Sequence, residues 1–269
     1  MLETLTDTAL TLGPPTIALV GGLMGLTWLV AVIRRDASVV DSVWSVGFVL
    51  VTWQAYALTQ GEGFEARRVA VFTAMTLWGL RLWVHLGIRH AREGEDARYA
   101  AMRAGWGTGF ALSSLTHVFG LQGGLMLVLA GPVLAVMGGR TPGPVSGWDV
   151  FGLVLCVLGL ALESAADRQL QAFRLRADTR DAVLDTGQWR YSRHPNYFGE
   201  SLFWWGIGSF AMAEGAAWAL VSPALLTLLL LRVSGVALME KSIPTRRPGY
   251  ADYIARTSAF IPWWPRRRD

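Results

Sequence analysis

Glu163 and Asp167 stand four residues apart, as do Asn196 and Glu200, and on a helix each pair projects from a single face. Two carboxylates on one face repel each other unless something donates to them. The chemistry open to them is acceptance of hydrogen bonds from ribose hydroxyls or an adenine amino group; surface pairing with Arg168 or Arg174 is the plainer alternative. The run Tyr191-Ser192-Arg193-His194-Pro195-Asn196-Tyr197 leads into an apolar stretch, so Pro195 reads as the first turn of a helix whose free N–H groups point out of its start. Arg193 and His194 then flank a positive helix end, a natural seat for a phosphate, or else they serve only as cap and membrane anchor. Glu200 enters the apolar run Ser201-Leu202-Phe203-Trp204-Trp205, where a carboxylate needs a specific donor.

The elements that position these groups are membrane helices. Of 269 residues 52% are hydrophobic and 16% charged, with mean hydropathy +0.36, a balance foreign to soluble domains of this length. A bilayer core needs about 20 apolar residues per helix, and seven windows approach this: 16–33, 43–60, 69–88, 115–137, 148–166, 198–213 and 216–239. The expected fold is therefore all-α, a polytopic membrane protein of about seven transmembrane helices in one membrane domain over 1–269. Met1 to Leu12 carries Glu3 and Asp7 and no basic residue, so the first apolar run reads as a retained span and not a cleaved signal.

Lys and Arg collect in cytoplasmic loops. Alternate connections at 34–42, 89–114 and 168–197 and the tail from Lys241 hold nineteen of them, against Arg67, Arg68 and Arg140 on the other side. This asymmetry places the N-terminus outside and the C-terminus in the cytoplasm, and it requires an odd number of spans. It also accounts for the pI near 9.6 without a nucleic-acid partner. Arg81 and Arg232 fall inside spans, where they either snorkel to headgroups or face the bundle interior. The single cysteine, Cys156, lies mid-span and reads as a small buried apolar residue. The tail runs through Arg246-Arg247-Pro248-Gly249-Tyr250 into a short amphipathic helix that Pro262-Trp263-Trp264-Pro265 would end at the interface.

The segments Glu163 to Leu170 and Trp189 to Glu200 resemble the bacterial family of uncharacterised membrane proteins grouped with the steroid 5α-reductases. Asp36 to Gly47, Glu95-Asp96-Ala97-Arg98-Tyr99, Gly249 to Tyr253 and Thr257 to Trp263 resemble it too. The resemblance implies a steroid 5α-reductase-like bundle that holds NADPH in its cytoplasmic half, around loops 89–114 and 168–197, and takes a flat steroid-like, polyprenoid or acyl lipid from the membrane. The localisation it implies is the bacterial inner membrane. An Asn, an Asp four residues on and an Arg seven further in those reductases match Glu163, Asp167 and Arg174. Their Asn-x-x-Gly-Glu matches Asn196 to Glu200, and an arginine of their last span matches Arg232. Arg92, Arg98, Tyr191, Arg193, His194 and Tyr197 complete the cofactor set, since extra arginines suit a cofactor with several phosphates. Glu163 departs from the reductases' Asn, and their substrate-polarising Gln-Glu pair and tyrosine have no clear counterpart.

The implied reaction adds a hydride to a C=C bond conjugated to a carbonyl, and an acid must stabilise the growing oxygen charge. Asp41, Tyr56, Trp78 and His85 are the candidates by depth, Asp41 and His85 foremost. Asp41 would need a pKa raised by burial; alternatively Asp36 and Asp41 only cap the second helix. Two other functions are consistent with the residues. An Arg-His-Pro-x-Tyr run also occurs in isoprenylcysteine and phospholipid methyltransferases, which use S-adenosylmethionine. A transporter or lipid-binding scaffold would instead line a water path with Glu200 and Arg81.

Overall fold

The computed structural model describes residues 2–141, 143–176, 182–233, 235–237, 239–240, 247 and 249–266, with side chains from residue 9 onward. Helices occupy all seven apolar windows: α1 Leu2–Arg34, α2 Val39–Leu58, α3 Glu65–Glu93, α4 Ala97–Trp106, α5 Phe110–Ser114, α6 Leu121–Leu129, α7 Gly131–Met137, α8 Gly147–Arg174, α9 Pro195–Ala213 and α10 Val221–Leu228, with a short helix Tyr250–Arg256 near the end. The described residues contain no strand, only an isolated bridge between Ser192 and Ser258. Four helical stretches are long and apolar enough to cross a membrane: Ala9–Arg34, Glu65–Glu93, Ala97–Leu129 and Gly147–Arg174. Along α8, Val150, Phe151, Leu153, Val154, Val157 and Leu158 are all exposed, as a lipid-facing surface must be. The chain is an all-helical membrane protein.

Two connections differ from expectation. The 89–114 stretch, expected as a polar loop, is largely helical. α3 runs to Glu93 and ends at Gly94, whose φ of 71° suits a residue without Cβ. Asp96 then caps α4 by accepting from the Arg98 N–H. The fourth span, expected over 115–137, starts earlier and stops sooner: α5 passes through a π turn at Leu115–Gly120 into α6, and a turn at Ala130 separates α6 from α7 ahead of Pro132, which has no N–H to donate.

The packing divides into two compact units, Met1–Asp149 with Phe210–Ala219, and Val150–Ser209 with Leu220–Asp269. In the first, α2 packs against α3 and α1, and α1 against α6 and α7, around Phe48, Met75, Trp78, Phe119 and Met126. Arg67 and Arg68, expected in an outer loop, are only 3% and 0% exposed. Arg67 donates to Asp149 at 2.6 and 3.0 Å and to Glu214. Ser146 donates to Asp149 through both N–H and hydroxyl, at 2.7 and 2.8 Å, which also caps the start of α8.

In the second unit, α8 and α9 touch backbone to backbone. A Cβ on Gly199 would lie 2.6 Å from the Glu163 nitrogen, and one on Gly206 2.7 Å from the Gly152 carbonyl oxygen. Gly152, Cys156, Gly159 and Glu163 therefore form one seam on α8, facing Gly199, Phe203 and Gly206 on α9. Small residues are what permit such an approach between membrane helices. Cys156 is buried in this seam and donates weakly to the Phe203 carbonyl at 3.5 Å.

Candidate functional site

The glycine seam sets the first group of polar residues. Glu163 and Asp167, on α8, are 3% and 6% exposed, so the pair lies inside the protein and not on a solvated face. Asn196, in the first turn of α9, donates to Asp167 through Nδ2 at 3.2 Å. The two motifs singled out in the sequence thus meet. The Asn196 Oδ1 is buried and has no hydrogen-bond partner among the described residues, an acceptor in want of a donor. Glu200, one turn further along α9, is half-buried.

Arg193 and His194 precede α9 and are buried too, each engaged by other groups of the protein. Arg193 donates to Glu240 at 2.7 and 2.9 Å and to the carbonyls of Ile254 and Thr257. His194 Nε2 lies 3.2 Å from the same carboxylate, and its ring stacks on Tyr197 with centroids 5.4 Å apart. Both side chains that flank the helix start are thus met by Glu240, whose one signal in the sequence is a carboxylate just beyond an apolar run. Tyr253 adds a hydrogen bond from its hydroxyl to the Trp189 carbonyl, and Arg193 N–H donates to Ser258 O at 2.8 Å.

Burial works to raise the Glu240 carboxyl from its ordinary 4.5, but the hydrogen bonds and charges of His194 and Arg193 outweigh it and bring it to about 2. A carboxylate depressed on folding stabilises above its unfolded value and loses that contribution as pH falls through the folded one. The cluster should be at full strength above about pH 4.5 and weaken toward pH 2, with about 3 kcal/mol at stake. Thermal unfolding of detergent-solubilised protein across this range checks it. The midpoint of the Glu240→Gln variant should fall less steeply with acid than that of the parent; parallel acid limbs would count against the cluster.

The first unit holds a second polar group. Tyr99, only 6% exposed, donates its hydroxyl to Asp41 Oδ1 at 2.7 Å. Gln122 Nε2 donates to the Tyr99 oxygen at 3.2 Å, and Arg98 reaches Asp41 Oδ2 at 3.2 Å. Arg98 also pairs with Asp96 at 2.9 Å. Asp41, ahead of the 43–60 run, has its pKa raised by burial, against the opposing pull of Tyr99 and Arg98. It does not cap α2; the Ser38 N–H is met by Asp36 instead, at 2.9 Å. Tyr99 stands in the sequence only as part of the Glu95 to Tyr99 segment and Gln122 carries no signal of its own, because the ties bridge 58 residues from Tyr99 to Asp41 and 23 from Gln122 to Tyr99.

The other expected site residues are scattered. His85 is half-exposed on α3, Arg92 is exposed at its end, Arg174 is exposed at the end of α8, and Arg232 is exposed on a π turn at Leu229–Val233. Tyr191 packs edge-on against Trp264, with centroids 5.3 Å apart. Tyr56 donates to Glu65 and Trp78 is fully buried. Among the described residues no group of His, Cys, Asp and Glu could hold a metal ion.

No solved structure matches the chain. An uncharacterised protein of Schizosaccharomyces pombe is similar, 24% identical over 269 residues that take in 89% of this chain and 76% of its own. The family described as a protein of unknown function, DUF1295, matches residues 27–257. That stretch includes Asp41, Tyr99, the Glu163–Asp167 pair and Asn196, and the chain belongs to this family.

Proposed function

We propose that this protein is an NADPH-dependent reductase of a C=C bond, conjugated to a carbonyl, in a lipid drawn from the membrane. The observation that carries the reading is the Asn196 to Asp167 hydrogen bond at 3.2 Å, which joins two separately recognised motifs in one buried polar group. Glu163 and Asp167 would accept from ribose hydroxyls, and the unpartnered Asn196 Oδ1 fits an amide or hydroxyl donor of the same ligand. Arg174, exposed at the end of α8, is the cation suited to a phosphate. When bound, the nicotinamide supplies the hydride. Asp41, whose pKa burial raises and which accepts a hydrogen bond from Tyr99, is the candidate acid for the growing oxygen charge. The same reading includes a seven-span, steroid 5α-reductase-like bundle with its N-terminus outside and its C-terminus in the cytoplasm, in a bacterial inner membrane.

One observation favours a second reading. Arg98 and Arg193 are both committed to carboxylates, which suits a cofactor with fewer phosphates, and a buried acidic pair suits the cationic S-adenosylmethionine of a methyltransferase.

Thermal unfolding of the purified protein in detergent separates the two. NADPH should raise the midpoint by several degrees and S-adenosylmethionine should not; at a hundredfold excess over Kd, binding stabilises by about 2.7 kcal/mol. Asn196→Ala and Glu200→Gln should raise the NADPH concentration needed about tenfold, consistent with losing one hydrogen bond to a charged or buried partner. A shift with S-adenosylmethionine alone would sink the reductase reading.

A further inference from the structure

A cavity of about 370 Å³ opens beside the Tyr250–Arg256 helix and the segment that follows it, lined among others by Arg193, Arg256, Arg266, Thr257, Trp263 and Trp264. It is a built feature. The Trp263 N–H donates to the Tyr191 carbonyl and the Arg266 N–H to the Arg256 carbonyl, each at 2.9 Å, so the tail is fastened at two points. Three arginines are among the lining residues. Glu240 answers Arg193 and Asp185 answers Arg256, whereas Arg266 is exposed and pairs with no carboxylate among the described residues. The Arg256 Nε–H is buried and has no acceptor among them either. The lining therefore has donors and positive charge beyond what the described residues answer.

Its rim is apolar. Trp263 and Trp264 are 71% and 72% exposed and Ile261 is 61% exposed. Large side chains beside arginines, in a protein with membrane-spanning helices, are the composition of a headgroup-level belt. Guanidinium groups bind phosphate oxygens through paired N–H donors, and basic pockets next to the bilayer bind anionic headgroups. A soluble anion would satisfy the arginines and leave the rim in water.

We propose that this cavity binds the phosphate of an anionic phospholipid headgroup, with Trp263 and Trp264 at the membrane surface. The site is independent of the reductase reading. The test uses the full chain in a nonionic detergent, titrated with phosphatidylglycerol, phosphatidylcholine, inorganic phosphate or NADPH and followed by its unfolding midpoint. Phosphatidylglycerol should raise the midpoint at concentrations about tenfold lower than phosphatidylcholine or inorganic phosphate. Arg266→Glu, at an exposed position, should raise the phosphatidylglycerol concentration needed about tenfold, and Arg266→Lys should restore most of the loss. Equal response to both lipids, or no effect of Arg266→Glu, would overturn the site. If inorganic phosphate acts as well as phosphatidylglycerol, the ligand is a free anion and the lipid assignment fails. If Arg266→Glu weakens the NADPH response and spares the phosphatidylglycerol response, the cavity belongs to the cofactor and the lipid assignment fails as well.

Discussion

Arg67→Met should destabilise the protein by about 3–5 kcal/mol, the cost of leaving buried charge uncompensated. Arg67 is the shared partner of two carboxylates, Asp149 and Glu214, and all three side chains are nearly inaccessible, at 2%, 7% and 1% exposure. With the guanidinium gone, the Ser146 donors still serve Asp149 and the Thr141 N–H still serves Glu214 at 3.3 Å. Two negative charges would nevertheless face each other without a cation. The unfolding midpoint in detergent should drop by on the order of 10 °C. Adding Asp149→Asn and Glu214→Gln to the same chain should recover most of the loss, because the charges removed are those left unpaired. A single variant that unfolds within about a degree of the parent would show that Arg67 is not the keystone of this group.

Gly199→Ala carries the second large effect. The new Cβ would lie 2.6 Å from the Glu163 nitrogen, 2.8 Å from the Gly159 oxygen and 3.0 Å from the Glu163 Cα. All three are backbone atoms, so no rotamer change relieves the clash and α8 and α9 must move apart. Overpacking of this kind costs about 1–3 kcal/mol. The displacement acts one turn from Asn196, so the hydrogen bond to Asp167 should go with it and NADPH binding should weaken by about tenfold or more. Gly25→Ala is the control: nothing lies within 4 Å of its added Cβ, and in a helix the change is neutral or slightly favourable. If Gly199→Ala matches this control in midpoint and in NADPH response, the seam does not hold the polar group in place.

The class of protein was legible from composition alone, since a chain so poor in charge has to turn apolar side chains toward lipid. The convergence of Glu163, Asp167 and Asn196 was legible for a different reason: each motif has helical spacing, and both lie where an apolar run meets a polar one. Hydropathy misled at 89–114. It registers polarity as loop, whereas Gly94 and Asp96 are stop and start signals at the two ends of a three-residue break. The charge pairs were beyond local reading. Arg67 finds Asp149 and Glu214 at separations of 82 and 147 residues, and Arg193 finds Glu240 after 47. Spacing along one helix says nothing of such partners. Arg98 and Arg193 read as phosphate-binding cations, and sequence has no means of showing that Asp41 and Glu240 already hold them.

Arg193 has a further property that concerns the order in which the chain is made. Its carbonyl partners at Ile254 and Thr257 follow it by 61 and 64 residues, and Ser258, which accepts from its N–H, comes later still. A ribosome adds about 5–20 residues per second, so for several seconds after Arg193 emerges its guanidinium has only water and headgroups to bind. The entrance to α9 gains these contacts at Arg193 only when the Tyr250–Arg256 helix and Ser258 have been synthesised and docked. An incomplete chain therefore exposes a solvated basic loop where the finished protein has a buried polar cluster.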